Sequence, residues 1–288
     1  MKLVRYEDRS GVKLGAVKGE GIVDLSTPMP SVSDNMIDLI SRWTNLRADA
    51  ELIVNEAAVD ARLADVRLLA PIARPGKVMA IGLNYADHIR ETGQKMPSHQ
   101  IWFTKAITSI NGPYDPIELP IASQQVDYEA ELVVVIGKRC KHVAKDRAAD
   151  VVFGYCVGND VSVRDWQMQT TQWVLGKSFD THAPIGPWIV TADELGNPHT
   201  MGIRCFVNGE RRQNSNTENL VFNVYDQIAQ LSRAMTLEPG DLIFTGTPGG
   251  VGLAMRPPQW LKAGDKVRVE IDRIGAIEAV MRPEGEQR

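Results

Sequence analysis

Short runs of β-branched and aliphatic residues punctuate this chain far more often than helical periodicity does. Lys2–Tyr6, Leu14–Val17 and Gly21-Ile22-Val23-Asp24-Leu25 are separated by turn residues, including Lys18-Gly19-Glu20-Gly21, and predict a strand-rich start. Ser33-Asp34 is placed to cap a helix carrying Met36, Leu39 and Ile40, and the alanine-rich residues 47–66 read as continuing helix. Leu69-Ala70-Pro71-Ile72-Ala73-Arg74-Pro75-Gly76 then concentrates two prolines and a glycine, the best domain boundary in the chain. It separates a small N-terminal domain, residues 1–70, from a larger one, residues 75–288. Beyond it come Val78–Ile81, Leu132–Ile136, Val151–Val157, Ile189–Val190, Ile203–Val207, Leu242–Thr245 and Val267–Ile271. Such spacing predicts a β-rich α+β domain. One helix interrupts it: Val224, Ile228, Leu231 and Met235 recur at i, i+4, i+7 and i+11, and Pro239-Gly240 stops the pattern.

Composition narrows the class without naming a function. A hydrophobic fraction of 43% and a charged fraction of 24% over 288 residues are those of a globular protein with an ample core. A net charge of −4 with no dense basic run argues against a dedicated nucleic-acid binder. No apolar run approaches membrane-spanning length. Met1-Lys2-Leu3-Val4-Arg5 opens no signal-peptide core, so a soluble cytoplasmic protein is expected. Cys140, Cys156 and Cys205 make neither a disulfide framework nor a metal-spaced pair.

Four segments carry candidate chemistry. In Asp127-Tyr128-Glu129-Ala130-Glu131, which runs into Leu132-Val133-Val134-Val135-Ile136, a strand would put Glu129 and Glu131 on one face, about 6.5 Å apart. A solvated strand end gives that pattern, and so do two ligands of a hard divalent cation, with Asp160 in Gly158-Asn159-Asp160 as a third. Without a His/Cys cluster, Mg²⁺, Mn²⁺ or Ca²⁺ is favoured over zinc. In Asn84-Tyr85-Ala86-Asp87-His88-Ile89-Arg90-Glu91, Asn84 is placed as a helix cap with Asp87 completing a capping box. His88 and Glu91 then share a face at i and i+3, either as a plain surface pair or as an imidazole held by an acid, the build of a general base. Gly82 and Gly93 bracket that segment, as the hinges of a lid would. Gly176-Lys177-Ser178 fails as a P-loop because Thr171 stands where the leading glycine belongs. Lys177, flanked by Trp173 and Phe179, could instead act as a desolvated cation. Thr245-Gly246-Thr247-Pro248-Gly249-Gly250-Val251-Gly252 reads as a turn whose hydroxyls and amides could hold a carboxylate.

The ordered set is more specific than its parts. Asn84-Tyr85-x-x-His88-x-x-Glu91, Asp127-Tyr128-Glu129-x-Glu131-Leu132, Asn159-Asp160-x-x-x-Arg164-Asp165-x-Gln167, Gly176-Lys177-Ser178-Phe179-Asp180 and Thr245-Gly246-Thr247-Pro248-x-Gly250-Val251-Gly252 together resemble the fumarylacetoacetate hydrolase family over roughly residues 75 to 282. The resemblance implies that family's mixed β-sandwich roll, a leading small domain and a homodimer. It implies Glu129, Glu131 and Asp160 as ligands of Mg²⁺ or Mn²⁺, with Ca²⁺ possible in vitro. It also implies His88 and Glu91 as a water-activating dyad, Lys177 as the cation near the metal, Gln167 and Thr247 as substrate contacts, and Arg164 as a charge-balancing neighbour. The reaction implied is hydrolysis of a carbon–carbon bond in a 2,4-dioxo acid, either an acylpyruvate or a 2,4-diketo-3-deoxy sugar acid. Pyruvate and a carboxylic acid would result. The alternatives are decarboxylation or isomerisation of aromatic meta-cleavage products, and decarboxylation of oxaloacetate. The expected partner is a small 2-oxo acid, with no nucleic acid and no membrane.

Overall fold

The computed structural model describes residues 1–32 and 34–286. Its backbone is a twelve-stranded sheet laid beside a five-stranded one. The strand Ala130–Ile136 is buried along its whole length, which fits its unbroken apolar run: a strand covered on both faces has no reason to alternate. Leu132, Val134 and Ile136 pack toward the five-stranded sheet and the helix Val224–Ala234, among Ile203, Val269 and Ile228. Val133 and Val135 face the opposite core, with Leu3, Leu14, Leu39 and Phe244. Each fully buried aliphatic side chain contributes about 1.5–3 kcal/mol.

Ala130–Ile136 pairs antiparallel with Val152–Asn159 on one edge and with Leu242–Phe244 on the other. Leu242–Phe244 runs parallel to Val78–Gly82. The C-terminal ends of three strands and the N-terminal end of Ala130–Ile136 therefore meet at one edge of the sheet, where the candidate residues lie. The leading strands Lys2–Asp8, Gly11–Lys18 and Gly21–Asp24 extend this same sheet, because Lys2 and Leu3 pair with Val190 and Ile189 of Ala183–Thr191.

Three local readings change. The first N-terminal helix is Met36–Ser41, capped by Asn35, whose side chain accepts from Ile37 N at 3.1 Å; Ser33 lies outside the described residues. The second is Trp43–Glu56 and does not continue to residue 66. Ala57 turns extended, and Ala61 and Arg62 pair with Ile22 and Gly21, so a tertiary strand partner overrides alanine's helix propensity. The later helix ends at Ala234, with Met235 as its C-cap, and its start is fixed by a capping box between Asn223 and Asp226.

His182, just before Ala183–Thr191, is wholly buried. Its Nε2–H donates to Glu118 O at 2.7 Å, while Nδ1 has no partner among the described residues. Burial holds its pKa down at about 3, so the unfolded chain takes up a proton near the ordinary value of 6.5 that the native state refuses. Stability therefore falls as pH drops below that value. Between pH 6.5 and 5.5, the wild type should lose about 1 kcal/mol more than a His182→Gln variant in urea unfolding. Equal losses would show that the imidazole protonates in the native state.

Candidate active site and metal centre

Strand register brings the acidic residues together. Ala130 pairs with Asn159, so the residues just outside each strand, Glu129 and Asp160, become neighbours: Asp160 N donates to Glu129 O at 2.9 Å, and Glu129 N to Asn159 Oδ1 at 2.9 Å. With Glu131 they form a buried group whose carboxylate oxygens lie within 4.8 Å of one another. A solvated strand end is thereby excluded.

Buried cations answer part of that charge. Lys177 Nζ bridges Glu129 Oε2 and Asp160 Oδ2, 2.7 Å from each. Arg164 Nη1 reaches Glu129 Oε1 at 2.7 Å, and its Nε and Nη2 grip Asp127 Oδ2 at 2.8 and 2.7 Å. Asp127 also accepts from Gly252 N and Leu253 N, tying the glycine-rich turn to the arginine. Lys105, with no exposed side-chain surface, holds Asp160 Oδ1 at 2.6 Å and also donates to the carbonyls of Val161 and Lys177. Burial pushes Glu129 up, but Lys177 and Arg164 outweigh it and bring it to about 2. Burial lowers Lys105, and its ion pair with Asp160 only partly offsets that. The opposite balance at Lys177, where Asp160 and Glu129 overcome desolvation, leaves it raised.

Glu131 is the exception. Among the described residues no salt bridge reaches it; its Oε2 accepts only from Gly246 N, at 2.7 Å. Gly246 makes that contact at φ +100°, a conformation that favours glycine, and a Cβ there would fall 2.8 Å from Asn84 Cβ. Burial first, then Asp160 and Glu129, push the Glu131 carboxyl well up. Four buried carboxyl groups (Asp127, Glu129, Glu131, Asp160) face three buried cations (Lys105, Arg164, Lys177), so one of them, Glu131, has no cation to pair with among the described residues. Three convergent carboxylate oxygens with a charge deficit fit a hard divalent cation.

The imidazole borders the same cavity, with its acid behind it. His88 lies on the helix Ala86–Thr92, which follows Val78–Gly82. A cavity of about 260 Å³ is lined by His88, Glu129, Glu131, Arg164, Gln167, Lys177 and Thr247. His88 Nδ1 is 3.5 Å from Glu91 Oε2, and both Glu91 oxygens accept from Gly250 N at 2.9 Å. Burial raises the Glu91 carboxyl, but His88 and Gly250 outweigh it and leave it below its ordinary value. Asn84 does not cap the helix. Its amide instead donates to Phe222 O and Thr245 O and accepts from Phe222 N, while Asp87 accepts from Ser215 Oγ at 2.6 Å. The expected capping box is replaced by a tertiary staple, because Asn84 is buried among backbone groups that need partners.

Gln167 Oε1 accepts from Arg164 Nη1 at 2.9 Å. Thr247 Oγ1 accepts from Gln213 Nε2 at 2.8 Å, leaving its own proton to donate. The same Gln213 holds Pro248 O and accepts from Ala130 N, so one buried glutamine joins the ligand strand to the threonine turn. The structure thus brings all nine candidate residues to one locus and adds Lys105, Asp127 and Gln213. Of these, only Asp127 carried a local signal, its place in the acidic motif.

A family model for the C-terminal region of fumarylacetoacetate hydrolase matches residues 77–282. The chain belongs to the fumarylacetoacetate hydrolase family. Among its curated relatives, the frog (Xenopus laevis) mitochondrial oxaloacetate tautomerase fahd2 is 44% identical over 283 residues, covering 96% of this chain and 89% of that protein. A maleylpyruvate hydrolase from Sphingobium sp. SYK-6, solved with manganese(II) and pyruvate, superposes with a TM-score of 0.83 at 35% identity over 98% of this chain and 99% of that one. A 5-carboxymethyl-2-hydroxymuconate delta-isomerase from Mycobacterium smegmatis superposes with a TM-score of 0.79 at 36% identity over 99% of this chain and all of that one. Enzymes of this family thus run tautomerisation, hydrolysis and isomerisation on closely similar scaffolds, and fold alone does not choose among them. Among the described residues no helix is long and apolar enough to cross a membrane.

Proposed function

We propose that this chain is a divalent-cation-dependent enzyme that shifts a proton beside the oxo group of a small 2-oxo acid, interconverting keto and enol forms of an oxaloacetate-type substrate. The observation that carries this reading is that His88, Glu129 and Glu131 line one cavity, with Asp160 buried against the two glutamates. The 44% identity to an oxaloacetate tautomerase along nearly the whole chain supports it. Glu129, Glu131 and Asp160 would hold Mg²⁺ or Mn²⁺, which supplies the Lewis acidity that makes the carbon beside a 2-oxo group acidic. His88, oriented by Glu91, takes the proton from that carbon as the enol forms, while the oxo oxygen gains one from solvent, and gives it back to the carbon on ketonisation. Lys177 stabilises the negative charge that develops on the substrate. The Thr247 hydroxyl donates to the substrate carboxylate, and Gln167, fixed by Arg164, orients the remaining oxygen.

A second reading shares these residues. The maleylpyruvate hydrolase solved with pyruvate favours hydrolysis of a 2,4-dioxo acid. In that reaction His88 takes a proton from water, the oxygen attacks the 4-oxo carbon, the bond between C3 and C4 breaks to release a carboxylic acid, and the proton passes to C3 to give pyruvate. Two assays separate them. Ultraviolet absorbance follows ketonisation of enol-oxaloacetate, and lactate dehydrogenase detects pyruvate released from acylpyruvates. Cation-dependent ketonisation without pyruvate release is the expected result. Pyruvate release from an acylpyruvate as the faster reaction would select the hydrolase, and undiminished rates in excess chelator would remove the cation from both.

A further inference from the structure

Away from the carboxylates the cavity is lined by apolar side chains, Trp173 among them. Trp173 is half-buried in the turn that leads to Lys177, whose N–H donates to Trp173 O at 3.2 Å. Its indole lies 5.5 Å from the Phe103 ring, centroid to centroid, and Phe103 lies 5.0 Å from the Lys177 ammonium. On the other side the indole rests on Gly82: a Cβ there would fall 2.3 Å from Trp173 Cζ3. Gly82 therefore makes room for the ring. Its neighbours fix the indole in place, and it borders the same cavity as His88 and Glu129. Met168 and Leu253 line the same cavity, Met168 largely exposed and Leu253 partly so, so the cavity reaches solvent on their side.

We propose that Trp173 determines chain-length specificity: the indole closes the distal end of the cavity, so that 2-oxo acids with short tails fit and long alkyl tails do not. This rests on the reading of the site as a 2-oxo acid site. It adds to it that size is policed by a residue that is not itself a cation ligand. Steric closure of this kind discriminates single methylenes by about 10–200-fold. With the ring gone, a tail that reaches Phe103, Met168 and Leu253 gains about fourfold in affinity for each methylene it buries.

The test is calorimetric titration of Mn²⁺-loaded protein with oxalate, 2-oxobutanoate and 2-oxooctanoate. Wild type should bind oxalate and prefer 2-oxobutanoate to 2-oxooctanoate. In Trp173→Ala the affinity ratio of the long acid to the short one should rise about tenfold or more. Trp173→Leu, which keeps an apolar contact on Gly82, should show a smaller rise and serves if the alanine variant does not fold. An unchanged ratio in the variants, or a wild type that binds the long acid as tightly as the short one, overturns the assignment. Absence of oxalate binding to wild type would instead overturn the 2-oxo acid reading, and the chain-length assignment with it.

Discussion

A His88→Ala enzyme should lose about 10²–10⁴ in kcat, the worth of a positioned general base, while its affinity for Mn²⁺ stays near wild type. The split follows from the geometry. His88 borders the cavity but lies outside the carboxylate group, and its ring approaches Glu91 on the same helix. Glu91→Gln should fall between wild type and His88→Ala. Its amide oxygen can still accept from Gly250 N and hold the helix on the turn, but the negative charge that supports an imidazolium is gone. Steady-state rates beside a manganese titration check both halves. A His88→Ala enzyme that turns over its best substrate at near wild-type rate would remove the imidazole from the chemistry.

Removing the Glu131 carboxylate should have an even larger effect on activity and an opposite effect on the resting fold. Glu131→Gln is expected to abolish cation-dependent turnover and the rise in Tm that a tight ligand produces, about 2.7 kcal/mol of stabilisation at a hundred times Kd. Without added cation the same variant should be at least as stable as wild type. Wild-type Glu131 is a buried carboxyl crowded by Asp160 and Glu129 and served by a single backbone N–H, so its neutral isostere relieves repulsion. Thermal melts with Mn²⁺ and with chelator measure both. A variant that keeps the cation-induced shift would place the cation elsewhere.

Much of this was legible because apolar runs and motif order are local signals. The seven apolar runs beyond Pro75-Gly76 each coincide with a strand, with only Val151 and Thr245 falling just outside, and the paired glutamates stand where strand register needs them. The misses share a physical cause. Glu210–Asn216 is an edge strand of charged and amide residues with little buried face, so it shows no apolar period. Lys105 looks like any lysine until the fold brings Asp160 and the Lys177 carbonyl to it from 55 and 72 residues away. Residues 57–66 carry helix-favouring alanines, but their backbone is claimed by Gly21 and Ile22. Asn84 has the right chemistry for a cap and is used for a longer-range bond.

The strand that supplies Glu131 and follows directly on Glu129 is hydrogen-bonded on both edges and shielded on both faces. Amides in such a segment exchange with solvent only when the whole domain opens, whereas peripheral turns open locally at far lower cost. The proposed cation ligands, Glu131 in this strand and Glu129 and Asp160 at strand ends, are therefore expected to be anchored in the last unit to come apart, while His88, Thr247 and Trp173 sit on a helix and turns at its rim. Loops at that rim can be rebuilt, one mutation at a time, without loosening the anchor beneath them. A scaffold divided in this way can change its substrate while keeping its carboxylate cluster.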